Sequence, residues 1–172
     1  EALEKLNYVG YVDVNCIIDE GGTPWPLEFT MRPGWPTFNI QQAVHKGDCA
    51  EWLMDLSKGV DARAFSMNVV AVGIVLSIPD YPYSHLTRKE VTGIPIYGIK
   101  PAMWEHVHPC EMMLSEKVPC GGEGQTLRYE PMPSTAGDYV LVMTATGETV
   151  LSAKNTASRR LDRLIVPNSP MW

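Results

Sequence analysis

Two carboxylates and a hydroxyl lie in two strand-like segments near the start of the sequence. Asp13 lies in the run from Tyr8 to Ile18, and Glu28 and Thr30 lie in the run from Pro26 to Met31. Side chains alternate along a strand, so residues 28 and 30 share one face, and the Gly-Gly turn between the runs predicts a hairpin. Mg²⁺ prefers oxygen ligands, typically one or two carboxylates together with substrate phosphates. The spacing is therefore consistent with a platform for metal and phosphate, or with an ordinary solvated hairpin face.

A loop with two prolines and a glycine follows the second strand, from Arg32 to Pro36. The guanidinium of Arg32 can hold a carboxylate or a phosphate through two parallel hydrogen bonds. The helix predicted from Phe38 to His45 would point its N-terminus towards the same anion. The alternative is a surface arginine beside a turn.

A third group combines His106 and His108 with Cys110 and Cys120. Imidazole and thiolate are zinc ligands. The spacing matches no common zinc pattern, however, and alternation places both histidines on one strand face. We therefore favour surface histidines over a metal site.

Composition limits the classes of function. The 172 residues carry a net charge of −6. The only cluster of basic residues is Arg159, Arg160 and Arg163, so the sequence does not predict a nucleic-acid binder. No apolar run approaches the ~20 residues of a membrane span. The four cysteines form no CxxC motif, which favours reduced thiols and a cytoplasmic location.

The secondary-structure pattern changes near residue 60 and predicts an α+β fold. Before that point the sequence predicts the hairpin, the helix at 38–45 and a second helix that Asp48 caps and that ends near Ser57. After it, the predicted strands are Ala64–Ile78, Val91–Ile99, Trp104–His108, Leu127–Glu130 and Tyr139–Ala145, with a glycine-rich loop at Pro119–Gly124. A helix from Thr149 to Ile165 completes the chain, with an apolar stripe formed by Val150, Ala153, Ala157, Leu161 and Leu164.

The sequence begins at Glu1, without Met or a targeting pattern, and enters a strand-like run almost at once. A fragment, a processed chain or a trimmed one would each begin in this way. We therefore expect a protein that extends upstream of Glu1.

The segments Gly10–Val14 and Pro26–Arg32 resemble the last metal-binding strands of ATP-grasp ligases. Glu28 to Thr37 resembles the E-F-N-x-R-F-G-D-P-E segment of the phosphoribosylamine–glycine ligase family. Val70–Gly93 and Gly137–Arg163 are similar to the V-V-L-A…G-Y-P…I-x-G and V-T-A-x-G-D-T-L-x-x-A segments of the C-terminal domain in that family. The resemblance covers nearly the whole sequence, in order.

This resemblance implies that residues 1–60 form the C-terminal part of an ATP-grasp domain. Residues 61–172 would form a small β-rich domain that one helix closes. The family uses ATP with Mg²⁺ or Mn²⁺ to convert the glycine carboxylate to an acyl phosphate, which the amine of phosphoribosylamine attacks in purine biosynthesis. By the same resemblance, the N-terminal lobes that clamp ATP are missing from this chain, which alone would be inactive.

The resemblance also implies roles for individual residues. Glu28 would ligate the metal and thereby hold ATP, with Asp13 and Thr30 as further ligands, and Arg32 would hold a substrate anion. The sequence departs from the family where Thr30 replaces an asparagine and where Trp35 and Thr37 replace two acids. These changes leave two alternatives: an ATP-grasp ligase with another amine substrate, or a non-catalytic β-rich binding domain.

Overall fold

The structure is a computed structural model that describes residues 2–60, 66–79, 81–83, 85–120 and 128–167. The chain divides into two compact units, Glu1–Asn68 and Val69–Trp172. Both units combine helices with antiparallel strands, so the predicted mixture of the two is confirmed. The assignment of the first unit to an ATP-grasp domain and of the second to a ligase C-terminal domain stays a prediction.

The described part of the first unit contains a short helix, a hairpin and two further helices. They are α1 (Ala2–Lys5), β1 (Asp13–Ile18), β2 (Pro24–Thr30), α2 (Thr37–Val44) and α3 (Cys49–Ser57). The turn between the strands is held by Asp19, whose carboxylate accepts hydrogen bonds from the backbone N–H groups of Gly21 and Thr23, each at 2.9 Å. Asp48 caps α3 as predicted, by accepting from the backbone N–H of Ala50 at 2.7 Å.

The hairpin is shorter than predicted at its first strand, which begins at Asp13 rather than Tyr8. Gly10 has a φ of +147°, which turns the chain before the strand. The register then pairs Asp13 with Thr30 and Asn15 with Glu28. A bulge follows, because Cys16 pairs with Pro26 and one residue of β2 is left over.

The described part of the second unit forms two small antiparallel sheets and one long helix. Its elements are β3 (Val70–Ser77), a 3₁₀ helix (Pro101–His106), β4 (Val107–Pro109), β5 (Met112–Cys120), β6 (Arg128–Thr135), β7 (Tyr139–Gly147) and α4 (Val150–Leu161). The strand order is β3-β7-β4 in one sheet, and β5 pairs with β6 in the other. The core is formed around β7, where Val140, Leu141 and Met143 are fully buried.

Helix α4 begins with a reciprocal pair of hydrogen bonds at Thr149 and Ser152. The Thr149 hydroxyl accepts from the Ser152 backbone N–H at 3.1 Å, and the Ser152 hydroxyl accepts from the Thr149 backbone N–H at 3.2 Å. The predicted stripe is buried at positions 153, 157, 161 and 164, but Val150 is 64% exposed, since it stands in the first turn. The helix ends at Leu161 rather than Ile165, because Ile165 instead exchanges backbone hydrogen bonds with Tyr97.

Several predicted strands differ from the observed ones. The segment Val91–Ile99 makes isolated bridges at Pro95 and Tyr97 instead of a strand, because Gly93 and Gly98 have φ values of +84° and +90°. Trp104 to His106 lies in the 3₁₀ helix, which Pro101 begins, and only His108 and its neighbours form a strand.

The remaining differences concern strand ends. The strand predicted from Ala64 to Ile78 runs from Val70 to Ser77, and the one predicted at 127–130 continues to Thr135. Strand β5 was not predicted, and it contains Pro119 and Cys120, which the sequence assigned to a loop. The rest of that loop, and Ala64, lie outside the described residues.

Candidate functional site

Four polar side chains lie on one face of the hairpin. Asp13 is paired with Thr30 and Asn15 with Glu28, and residues two apart on a strand point the same way. The amide nitrogen of Asn15 donates a hydrogen bond of 2.9 Å to Oε1 of Glu28. We call Asp13, Asn15, Glu28 and Thr30 the hairpin face. The structure therefore brings three of the four predicted site residues together and adds Asn15.

The hairpin face has an oxygen that lacks a partner. Oγ1 of Thr30 is buried, and within the described residues it has no hydrogen bond. A buried hydroxyl without a partner is costly, and a cation beside the Asp13 carboxylate would satisfy it. Glu28 and Asn15 are exposed, so this end of the face is open to solvent.

The donor set fits Mg²⁺ or Mn²⁺ better than zinc. In the part of the chain that the structure describes, no three His, Cys, Asp or Glu side chains gather as a metal cluster. The hairpin face supplies two carboxylates, a hydroxyl and an amide, all through oxygen. This is the sparse oxygen set with which proteins hold Mg²⁺ when substrate phosphates and water complete the shell.

The loop after β2 packs against Asp13. Gly34 is buried, and a Cβ at this position would lie 2.6 Å from Oδ2 of Asp13, so a larger residue here would force the Asp13 carboxylate to move. Arg32 is exposed, and its guanidinium donates to the carbonyl of Pro33 at 3.1 Å. Arg32 thus follows the hairpin face by two residues in the sequence, but no described contact joins its side chain to that face.

The histidine pair of the second unit belongs to a structural network. Nε2 of His108 lies 3.0 Å from Oγ1 of Thr144, and that hydroxyl donates to the backbone carbonyl of His106 at 3.3 Å. With the Thr144 proton directed to that carbonyl, the His108 tautomer that fits the network carries its proton on Nε2. Arg160 donates to the Thr144 carbonyl at 2.7 Å.

This network predicts acid sensitivity of the second unit. Burial, and then the nearby His106, lower the pKa of His108. The unfolded chain, with a histidine pKa of about 6.5, binds the proton more tightly. The contribution of neutral His108 to the stability of this unit is therefore fully present above the unfolded-state pKa of about 6.5, and it is lost as the pH falls below that pKa.

We expect the free energy of unfolding of this unit to fall between about pH 7.5 and about pH 5.5, and to fall less in His108→Gln, whose amide can still donate to Thr144. Chemical denaturation at both pH values measures it, with the exposed His85→Gln as the control. An equal loss in wild type and His108→Gln would contradict the assignment.

Comparison with solved structures establishes the fold. The chain superposes on a phosphoribosylamine–glycine ligase from Thermotoga maritima with a TM-score of 0.62 and 19% identity, which covers 97% of this chain and 37% of that one. It also superposes on N5-carboxyaminoimidazole ribonucleotide synthetase from the same organism, with a TM-score of 0.56, 15% identity and coverage of 95% and 39%. The chain thus has the fold of part of these two enzymes.

The curated relatives described below share the name of the first of these two enzymes, phosphoribosylamine–glycine ligase. The chain is 26% identical over 158 residues to the phosphoribosylamine–glycine ligase of Salmonella typhimurium, and 27% identical over 165 residues to that of Haemophilus influenzae. These matches cover 91% and 95% of this chain, but only 33% and 34% of the relatives. A third match, to the ligase of Ralstonia nicotianae, has 31% identity over 98 residues, 54% of this chain and 22% of that one. No protein-family model matches the sequence.

The chain is therefore similar to phosphoribosylamine–glycine ligases over nearly its full length, as its motifs predicted, and it spans about a third of the length of the relatives named above. Among the described helices, none has the length and apolar character that a membrane span requires.

Proposed function

We propose that this chain is the C-terminal part of an ATP-grasp ligase that joins glycine to phosphoribosylamine in purine biosynthesis, in the cytoplasm. The observation that carries the proposal is the hairpin face, where Asp13, Glu28 and the partnerless hydroxyl of Thr30 lie together in a chain similar to such ligases. Homology supplies the reaction, and the geometry of the hairpin face supplies a place for the metal that the reaction needs.

The proposed reaction has two steps. A carboxylate oxygen of glycine attacks the γ-phosphorus of ATP, which breaks the bond to the β-phosphate oxygen and releases ADP. The amine nitrogen of phosphoribosylamine then attacks the acyl carbon of the resulting acyl phosphate, loses its proton and expels inorganic phosphate. When bound, Mg²⁺ or Mn²⁺ would neutralise the charge that develops on the phosphate oxygens.

The residues of this chain have positioning and electrostatic roles in that scheme. Glu28 and Asp13 would hold the metal, with Thr30 as a weaker third ligand. Asn15 fixes the orientation of the Glu28 carboxylate through their 2.9 Å hydrogen bond, as groups behind a metal ligand commonly do. Arg32 would turn from the Pro33 carbonyl to bind a substrate anion, through the paired hydrogen bonds that a guanidinium offers.

The first unit supports the proposal that further lobes complete the enzyme. Of its described residues, Gly34 alone is buried. Large apolar side chains on the hairpin remain exposed, including Phe29 and Leu27 at 65% each. Such exposure is typical of a surface that other protein covers, and the missing N-terminal lobes are the proposed cover.

A second candidate is a ligase with another amine substrate. Trp35 is 51% exposed and lies in the loop that packs on Asp13. Trp35 and Thr37 occupy the two positions at which the family segment carries acidic residues. An acceptor less polar than phosphoribosylamine would fit this change.

The test is ADP release by the longest product of the native gene, with ATP and Mg²⁺, glycine and phosphoribosylamine, and with each omitted in turn. Release that requires all three supports the proposed function. Release that requires glycine and a different amine supports the second candidate. If ADP is released equally well without a carboxylate substrate and without an amine substrate, the proposal is wrong.

A further inference from the structure

A cavity of about 290 Å³ lies in the first unit between α2 and α3. Its walls include Phe38 and Gln42 from α2, His45 directly after that helix, and Trp52 from α3. The volume is at the lower end of the range for small-molecule sites, so it suits one ring system rather than a large ligand. None of these residues has a role in the function proposed above.

Aromatic rings form a rigid wall of this cavity. The indole of Trp52 is the centre, and the ring of Phe38 is inclined to it by 26° at a centroid distance of 6.5 Å. Tyr11 stands edge-on to the same indole at 6.4 Å, and His45 is tilted at 5.7 Å. Flat ligands stack on such ring faces at little entropic cost, because aromatic side chains have few rotatable bonds.

Polar groups with spare hydrogen-bonding capacity line the same cavity. The one hydrogen bond of the Gln42 side chain among the described residues is a long one, 3.9 Å, to Sγ of Cys49. Its amide oxygen, the ring nitrogens of His45 and the hydroxyl of Ser66 have no hydrogen-bond partner in the described structure. Ser66 is exposed and Gln42 and His45 are half-buried, so these groups can bond to water in the free protein and to a ligand that displaces that water.

Among the residues that the structure describes, those that line the cavity include no Lys, Arg, Asp or Glu. A charged ligand would lose its hydration there without gaining an opposite charge. A purely apolar ligand would leave Gln42, His45 and Ser66 without partners. An uncharged ring with donors and acceptors along its edge satisfies both conditions.

We propose that this cavity is a binding site for an uncharged planar heteroaromatic ring, with the chemistry of a purine base. The ring stacks against the aromatic wall, and its edge exchanges hydrogen bonds with Gln42, His45 and Ser66. Binding needs neither a metal nor a nucleotide phosphate, so it is independent of the proposed ligase activity.

The test compares adenine with indole, which is similar in size but lacks the ring acceptors and the amino group. Both are titrated into the purified chain without Mg²⁺ or ATP, and binding is followed by amide NMR shifts and by calorimetry. We expect adenine to bind and to shift the resonances of α2 and α3. Gln42→Leu keeps the volume and removes the amide, so we expect adenine binding to weaken about fivefold to tenfold and indole binding to stay unchanged.

Two further variants secure the interpretation. Ser66→Trp places a bulky ring at the cavity and is expected to abolish binding of both probes. Glu20→Gln, in the exposed turn of the hairpin, is the control and should bind adenine as wild type does, even if the ligase proposal fails. The inference is overturned if adenine does not bind the wild-type chain, if it shifts resonances elsewhere, or if Gln42→Leu binds adenine as tightly as wild type.

Discussion

In the native-gene product that carries this chain, Glu28→Gln is expected to lower kcat/KM for ADP release by at least about 100-fold. Glutamine has nearly the shape of glutamate and can keep a hydrogen bond to Asn15, so the hairpin should fold unchanged. What it lacks is the negative charge that holds a divalent cation. The loss should be partly recovered at high Mg²⁺ or Mn²⁺ concentration, because the variant weakens binding of the metal rather than the chemistry that follows.

The matched control for this prediction is Glu20→Gln, which removes an exposed carboxylate from the turn of the same hairpin. We expect its kcat/KM to equal that of wild type. Asn15→Ala should lie between the two, with a loss of about 10- to 100-fold, because the Glu28 carboxylate loses the group that orients it. A Glu28→Gln enzyme with the activity of the Glu20→Gln control would contradict the role of Glu28.

In the second unit, Leu141→Ala is expected to lower the free energy of unfolding by about 2–5 kcal/mol. Leu141 is completely buried at the centre of β7, opposite Leu76 on one side and Pro109 on the other. Removing its side chain leaves a cavity between two strands that cannot close over it. For a unit of this size, such a loss is a large share of the total stability.

Urea titration followed by amide NMR tests this prediction, because it measures the free energy of unfolding of each unit separately. Leu151→Ala is the control, since Leu151 lies on α4 with 66% of its surface exposed. Its effect should stay within about 0.5 kcal/mol. If the two variants are equally stable, the core of the second unit is not formed around β7 as described.

The elements that the sequence predicts well are those whose signals are local. The turn after β1, the Asp48 cap and the apolar stripe of α4 each depend on a few neighbouring residues, and each is present. The strand expected at 91–99 is absent because Gly93 and Gly98 turn the chain, which alternation alone does not reveal. Strand β5 was missed since its residues carry a mixed pattern and gain their order from pairing with β6.

The hairpin face was predictable in part. Residues 28 and 30 share a face by alternation, and Asp13 joins them through a register that the sequence only suggested. Asn15 could have been found by counting two residues on from Asp13, but its role depends on the pairing with Glu28. The contact of Gly34 with Asp13, and the return of Arg32 onto its own loop, depend on backbone geometry that no pattern of residue types encodes.

The central claim, that the hairpin face holds a divalent cation, is tested most directly with Mn²⁺ and the chain alone. Amide NMR spectra are recorded as Mn²⁺ is added well below stoichiometric amounts, because its unpaired electrons broaden nearby signals even when binding is weak. The account predicts broadening centred on Asp13, Asn15, Glu28 and Thr30, reversed by excess Mg²⁺ and absent in Glu28→Gln. Broadening centred on the Glu105–His106 pair, or unchanged in Glu28→Gln, would contradict it.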